Sequence, residues 1–211
     1  MNIFLHHTKK LFILWCLLAF AKANAQTSGW EWNYLRSLEK NRTPAGIRLN
    51  RFLSDAADPV GLAVPVTYLL QGYISKNEML KKKGIYLAQS FVTNVTITYL
   101  MKKSIQRKRP GETDPTFTVL TPAGSRSFPS GHTSEAFAMA TSLSLIAPKW
   151  YVITPAYAFA GLVGYSRMYL GAHYPTDVIA GALVGSAAAW ISYKVNQRWS
   201  KKKLASGQRY R

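Results

Sequence analysis

Five apolar segments, residues 59–75, 84–101, 133–147, 150–168 and 178–195, follow one another with short polar or basic connections between them. Uninterrupted apolar runs of this length are too long for strands and are the right size for helices that hide every face. They are short and weakly hydrophobic for membrane spans, and they contain Gln71, Gln89, Asn94 and Thr96. Polar positions turned toward a bundle interior account for that. Small residues recur late in the chain, at Ala180-Gly181-Ala182 and Gly185-Ser186-Ala187-Ala188-Ala189, and these allow helices to approach closely. The expectation is an all-α chain: a helical bundle with five to six helices in or across a membrane, preceded by an N-terminal amphipathic helical region.

Charge narrows the partners. The formal net charge is +18, and 48% of residues are hydrophobic, which argues against disorder. A strongly basic chain suits nucleic acid, anionic lipid or a phosphorylated substrate. Much of the excess lies in Lys81-Lys82-Lys83 and in a tail from Arg198 through Lys201-Lys202-Lys203 to Arg211. Both runs abut apolar segments, so they fit lipid headgroups better than a nucleic-acid groove, and no zinc-finger or RNA-binding signature accompanies them. The partners expected are therefore a membrane and a lipid phosphate, with no nucleic acid. The single cysteine, Cys16, allows neither a disulfide within the chain nor a cysteine metal cluster.

Residues 1–25 look like a secretory signal: Lys9 and Lys10, a short apolar core from Leu11 to Ala21, and Ala23-Asn24-Ala25 as a small-residue cleavage site ahead of Gln26. An uncleaved anchor is the alternative. His6 and His7 in this region are not expected to bind metal. Residues 26–58 carry Trp30, Trp32, Tyr34, Leu35 and Leu38 among Arg36, Glu39, Lys40 and Arg42, with Leu49, Phe52 and Leu53 following at helical spacing. Pro44-Ala45-Gly46 breaks the run. One or two amphipathic helices follow, either at headgroup level or packed on the bundle. Residues 59–197 form the main domain and 198–211 a basic cytoplasmic tail. If the chain starts inside the cell, Lys9-Lys10, the lysine-rich loop at 76–83, Lys149 and the tail all fall inside. The connections at 102–132 and 169–177 then share the outer face.

Those two connections hold the chemistry-bearing residues. Residues 102–110 read Lys-Lys-Ser-Ile-Gln-Arg-Lys-Arg-Pro, residues 129–132 read Pro-Ser-Gly-His, and residues 166–177 run from Ser-Arg to a histidine and an aspartate one turn apart. Lys102 offers a compact charge, and Arg109 and Arg167 offer planar forks for an oxyanion. Pro110 disfavours helix at Arg109, so that arginine is expected past a helix end. Ser130 and Gly131 open the next helix, whose free amides form an anion site. Taken singly, each residue has a plainer explanation. His132 could cap a helix, His173 and Asp177 could be a static pair, and the cations could be headgroup anchors.

Together, Lys102 with Arg109-Pro110, then Pro129-Ser130-Gly131-His132, then Ser166-Arg167 with His173 and Asp177, resemble the signature of the type 2 phosphatidic acid phosphatase (PAP2) and vanadium haloperoxidase superfamily. Every signature position is matched between Lys102 and Asp177. Asn41-Arg42-Thr43-Pro44 and Asp58-Pro59 match only loosely the lead-in of bacterial members. The resemblance implies a PAP2-type helical bundle and a metal-independent lipid phosphatase acting without a cofactor. It assigns His173 as a nucleophile forming a phosphohistidine, Asp177 as its orienting carboxylate and His132 as general acid and base. It assigns the phosphate to Lys102, Arg109, Ser130, Gly131, Arg167 and Ser166. Glu112, Asp114 and Glu135 match no signature position. The 111–127 stretch, rich in Thr, Pro and Gly, is expected to be a loop over the pocket mouth.

The substrates so implied are lipid phosphomonoesters or pyrophosphates, such as phosphatidate, phosphatidylglycerophosphate, a prenyl pyrophosphate or lipid A. The expected site faces the periplasm or exterior of a bacterial cell membrane. Three alternatives are a soluble secreted acid phosphatase with the same site, a vanadate haloperoxidase, and a non-catalytic binder of anionic lipid.

Overall fold

The computed structural model describes residues 29–121 and 124–205. The proposed signal, with Cys16, His6 and His7, lies outside these. The described residues form helices and no strands: α1 (Gly29–Lys40), α2 (Pro44–Asp55), α3 (Ala57–Ile74), α4 (Glu78–Ile105), α5 (Pro110–Thr113), α6 (Gly131–Ile146), α7 (Trp150–Tyr169) and α8 (Pro175–Ala205). The all-α bundle expected from the sequence is therefore present. The break in the amphipathic region falls earlier than expected. Thr43 caps α2 by accepting from the Gly46 amide at 3.1 Å, and Pro44 occupies the first helical position, where its missing N–H costs nothing. α8 runs on to Ala205, so the basic tail begins as helix.

α6 is the central helix and packs on α8, α7, α4 and α3. Its buried positions are almost all small: Thr133, Ser134, Ala136, Ala138, Ala140 and Ser142. α8 meets it with glycines. A Cβ on Gly185 would lie 2.0 Å from the Ser134 carbonyl oxygen, and one on Gly181 would lie 2.7 Å from that of Ser130. Only bare backbone fits there, and the start of α6 is thereby pressed against the first turns of α8.

Polar groups inside the bundle pair with one another. Asn94 donates to the Ser134 hydroxyl at 3.2 Å, Thr98 meets that hydroxyl at 3.1 Å, and Ser142 donates to Ser90 at 2.7 Å. Asn94 thus behaves as expected. Gln71 and Thr96 do not: both are exposed, and Thr96 bonds back to the Val92 carbonyl at 2.8 Å, which satisfies it within its own helix. Gln89 pairs with Asn196.

The outer surface of the bundle is apolar. Leu62, Leu70, Val92, Leu162, Leu183 and Trp190 are each about half exposed or more. Among the described residues one helix, over Pro175–Arg198, is long and apolar enough by composition to cross a membrane.

α1 is docked on the bundle by one face. Leu35 is fully buried with Phe117 and Tyr174, and Trp32 stands edge-on to both rings. Trp30 and Tyr34 remain exposed on the other side. Arg36 reaches Asp114 at 2.5 Å, and Arg42 donates to the Thr118 carbonyl at 2.7 Å and the Tyr169 carbonyl at 2.8 Å. These bonds hold the 114–118 segment, part of the expected loop, against α1 rather than leaving it free over the mouth.

Candidate active site

Three chain reversals at one end of the bundle bring the signature residues together. In the first, α4 stops at Ile105 because Gln106 takes a left-handed conformation with φ 53°. Lys102 sits in the last turn of α4, half-buried, with its Nζ donating to the Arg126 carbonyl at 2.6 Å. Arg109 is extended and caps α5, with Pro110 at the first helical position, so it lies beyond a helix end as expected. It is buried, and donates from Nε to the Ser125 carbonyl at 2.7 Å and from Nη1 to the Ala172 carbonyl at 3.1 Å.

The second reversal opens α6. Ser130 is the N-cap, but its buried hydroxyl pairs with Thr133 Oγ1 at 2.8 Å and caps no amide. The first intrahelical acceptance is Ser130 O from the Ser134 amide, at 3.0 Å. The amides of Gly131, His132 and Thr133 are therefore the orphan donors at the positive end of the helix. A Cβ on Gly131 would stand 3.9 Å from Lys102 Cε, so the glycine faces the lysine stem.

The third reversal joins α7 to α8. Gly171, at φ 75°, ends α7 in a left-handed turn. Its amide donates to Met168 O at 3.0 Å and that of Ala172 to Arg167 O at 2.9 Å, which is a Schellman closure. The His173 amide also reaches Arg167 O, at 3.3 Å. Pro175 starts α8, and Asp177 in its first turn reaches back to accept from the Tyr174 amide at 2.9 Å, half of a capping box. Arg167 is buried and donates from Nη1 to Ser54 on α2; its Nε has no partner among the described residues. Ser166 is fully buried, and its hydroxyl donates to Val163 O at 2.7 Å. That bond commits its one proton to its own helix, so the geometry gives no support to Ser166 as a phosphate donor.

The charges of these groups overlap. Burial, then the charge of Arg109, pushes Lys102 down to about 8, with Arg167 adding and Asp177 opposing. Burial, then Arg167 and Arg109, pushes His132 below its ordinary range, against Asp58 and Asp55. Burial pushes His173 down to about 3 against the pull of Asp177, with Arg109 and Arg167 contributing. Both imidazoles thus sense the same two arginines, as a shared anion pocket requires. His132 Nε2 lies 3.7 Å from Asp58 Oδ1.

His173 Nδ1 stands 3.5 Å from Asp177 Oδ2 and 3.4 Å from Ser127 Oγ. The first distance is longer than a good hydrogen bond. Asp177 is otherwise saturated: Oδ2 accepts from Ser127 Oγ at 2.5 Å and Oδ1 from Arg107 Nη1 at 2.6 Å. Ser127 and Arg107 were not singled out from the sequence, nor were Glu31 and Ser54. Arg107 stood in plain view between Lys102 and Arg109, but nothing local distinguishes it from Lys103 or Lys108.

Known proteins resemble this chain over the same region. The PAP2 superfamily model matches residues 83–201. The undecaprenyl-diphosphatase of Sulfolobus acidocaldarius is 35% identical over 142 residues, covering 67% of this chain and 66% of that protein. The crystal structure of Aquifex aeolicus LpxE is 29% identical with a TM-score of 0.65, covering 80% of this chain and 98% of that one. A transmembrane PAP2-type phosphatidylglycerolphosphate phosphatase from Bacillus subtilis superposes with a TM-score of 0.73 at 23% identity, covering 89% and 96%. The chain spans 66%, 47% and 64% of the first three curated relatives it matches.

Proposed function

The chain belongs to the PAP2 superfamily, and from that premise we propose that it is a membrane phosphatase that hydrolyses lipid phosphomonoesters or diphosphates through a phosphohistidine. One observation carries this reading: Arg109 and Arg167 act electrostatically on Lys102 and on both histidines, beside the amide-rich start of α6. Phosphoryl transfer needs little else, because its transition state is stabilised mainly by positioned positive charge. The unpartnered Nε of Arg167 is a donor that a phosphate oxygen would satisfy.

In the proposed reaction His173 Nε2 attacks phosphorus in line, and the bond to the leaving oxygen breaks. The Nδ1–H faces Asp177, which fixes the tautomer and stabilises the charge that develops on the ring. A ring held near 3 is neutral at physiological pH and free to attack. His132 gives its proton to the leaving oxygen. The free site holds His132 low through the cations around it, and a bound phosphate dianion offsets that field and favours its protonated form. His132 then takes a proton from water, whose oxygen attacks the phosphohistidine and releases phosphate. Lys102, Arg109, Gly131 and Ser130 bind the phosphoryl oxygens. No step calls for a metal, and turnover is expected to survive chelation.

Two features support a lipid as the substrate and a membrane as the setting. An apolar groove of about 320 Å³ runs between α3, α6 and α7, lined by Ala57, Gly61, Ala136, Met139, Ala140 and Phe159. It begins at the sequence neighbours of Asp58 and Glu135, whose carboxyls act on His132 and Lys102. The apolar belt around the bundle supports the bilayer over the soluble alternative. We place the site on the outer face of a bacterial cell membrane, with the 76–83 loop and the basic tail inside. Undecaprenyl diphosphate and lipid A, named for the relatives, join phosphatidate and phosphatidylglycerophosphate as the panel to test. Phosphate release by purified protein over that panel, with water-soluble esters alongside and a His173→Ala control, decides the matter. Release from soluble esters alone would favour the acid phosphatase, and release unaffected by His173→Ala would end the proposal.

A further inference from the structure

Glu31 is a fully buried carboxylate on α1, far outside the 83–201 segment that carries the family match. A charge at such a place has to be paired. Its Oε2 accepts from Arg107 Nη2 at 2.8 Å, and its Oε1 accepts from the Thr176 hydroxyl at 2.6 Å and the Thr176 amide at 3.2 Å. The Thr176 amide is one of the donors that the start of α8 cannot satisfy internally, and Pro175 before it has none. α1 therefore caps α8 from outside, one residue ahead of Asp177. Arg107 carries the connection further. Its Nη1 donates to Asp177 Oδ1 at 2.6 Å and to Thr176 Oγ1 at 2.7 Å, and its guanidinium lies 4.1 Å over the Tyr174 ring.

One guanidinium thus serves two carboxylates. An arginine facing a single carboxylate tends to engage both oxygens in a fork. Here Glu31 occupies Nη2, and Arg107 holds Asp177 by Oδ1 alone. Asp177 Oδ2 is left to Ser127, to the Tyr174 amide and to His173 Nδ1. We propose that Glu31 is a positioning residue for phosphoryl transfer: by claiming one end of Arg107 and capping α8, it keeps Asp177 Oδ2 directed at the His173 ring. This rests on the phosphatase reading of the site, and it makes α1 part of the working enzyme.

The test uses the full chain in detergent micelles, comparing wild type, Glu31→Gln, Asp177→Asn and the double variant on phosphatidate. Glu31→Gln is expected to lower kcat roughly 10- to 100-fold while KM and inhibition by inorganic phosphate stay within about twofold, since the cationic cradle is untouched. In the Asp177→Asn background the same change is expected to cost less than about twofold, because its effect passes through that carboxylate. Losses that multiply across the two sites, or a loss carried by KM, overturn the proposal. If Glu31→Gln does not fold, Arg107→Lys takes its place in the cycle with the same expectations, since a point charge cannot bridge both carboxylates. A second readout is independent of turnover. In NMR of histidine-labelled protein, His173 is expected as the Nδ1–H tautomer and is expected to lose that preference in Glu31→Gln. An unchanged tautomer overturns the role of Glu31 whether or not any lipid is hydrolysed. A wild type inactive on every ester, with the tautomer shift present, overturns the phosphatase reading alone.

Discussion

The His173 amide donates to the carbonyl oxygen of Arg167 at 3.3 Å, and the Ala172 amide donates to that same oxygen at 2.9 Å. One backbone oxygen therefore sets how far the candidate nucleophile stands from a candidate phosphate ligand. Their spacing in the sequence is that of a helix closing through a left-handed glycine, with the histidine on the first residue past the closure. The backbone thus sets the spacing of the pair without any substrate, which is what positioning for in-line attack demands.

Gly171→Ala should loosen that pair. An L-residue at φ 75° costs about 1–2 kcal/mol in backbone conformation alone. The added Cβ would also stand 2.8 Å from Phe117 Cε1, 3.0 Å from Arg42 Nη2 and 3.0 Å from the Thr118 carbonyl. The expected result is a lower melting temperature in detergent together with a lower kcat. A variant that melts and turns over like wild type would show that the glycine does not hold the turn.

The two histidines should fail differently. His173→Ala removes the attacking nitrogen and should abolish phosphate release. His132→Ala should slow release roughly 10²- to 10⁴-fold on an alkyl ester, and less on p-nitrophenyl phosphate, whose leaving group needs little protonation. Without a base for the second step, phosphorylated His173 should accumulate in His132→Ala. Mass spectrometry after a rapid quench at alkaline pH checks this, and an unmodified His173 during turnover would reverse the assignment.

The candidate cations and both candidate histidines were legible because each piece sits in a short local pattern whose chemistry can be judged alone: a proline after an arginine, a glycine before a histidine, an imidazole and a carboxylate four apart. The groups that support them were not. Arg107 meets Glu31 across 76 residues and Asp177 across 70, and Ser127 meets Asp177 across 50. Nothing in the sequence around Glu31 separates it from an ordinary acidic residue in the first turn of an amphipathic helix. Its burial is decided by where α1 docks, and that docking depends on Leu35 and Trp32 finding Phe117 and Tyr174. Ser166 is a different case: its place in the signature suggested a donor, and in the fold its hydroxyl bonds to the Val163 carbonyl, a contact the sequence does not announce.

Arg167→Lys is expected to damage binding more than its conserved charge suggests. The guanidinium reaches Ser54 with Nη1 and keeps Nε unpartnered among the described residues, so it can serve α2 and a phosphate together. An ammonium cannot present both directions. KM for the preferred lipid should rise by about tenfold or more, with inhibition by inorganic phosphate weakened in parallel, whereas Ser54→Ala should shift both less. Inhibition by phosphate that is unchanged in Arg167→Lys would remove this arginine from the cradle.

Acid should destabilise the fold through His173 before it acts through the paired carboxylates. The ordinary imidazole value of 6.5 applies to the unfolded chain, and burial holds the folded ring near 3. Between those values the unfolded chain carries a proton that the folded chain refuses, so stability falls as pH falls. The contribution is complete above about 6.5 and declines toward 3, with a slope of at most about 1.4 kcal/mol per pH unit from this ring. His132 is shifted in the same direction and adds to the slope. Glu39 and Asp114 are held below ordinary carboxylate values of 4.5 and 3.8, so their losses come at lower pH. Between pH 6.5 and 4.5 the difference between wild type and His173→Asn therefore reads this ring, whatever other groups titrate there. Denaturation midpoints in micelles should respond to pH differently in the two proteins, with wild type losing more stability toward acid by up to one proton. Parallel pH profiles for the two proteins would mean that the folded ring titrates like the unfolded one, and that burial does not keep it neutral in acid.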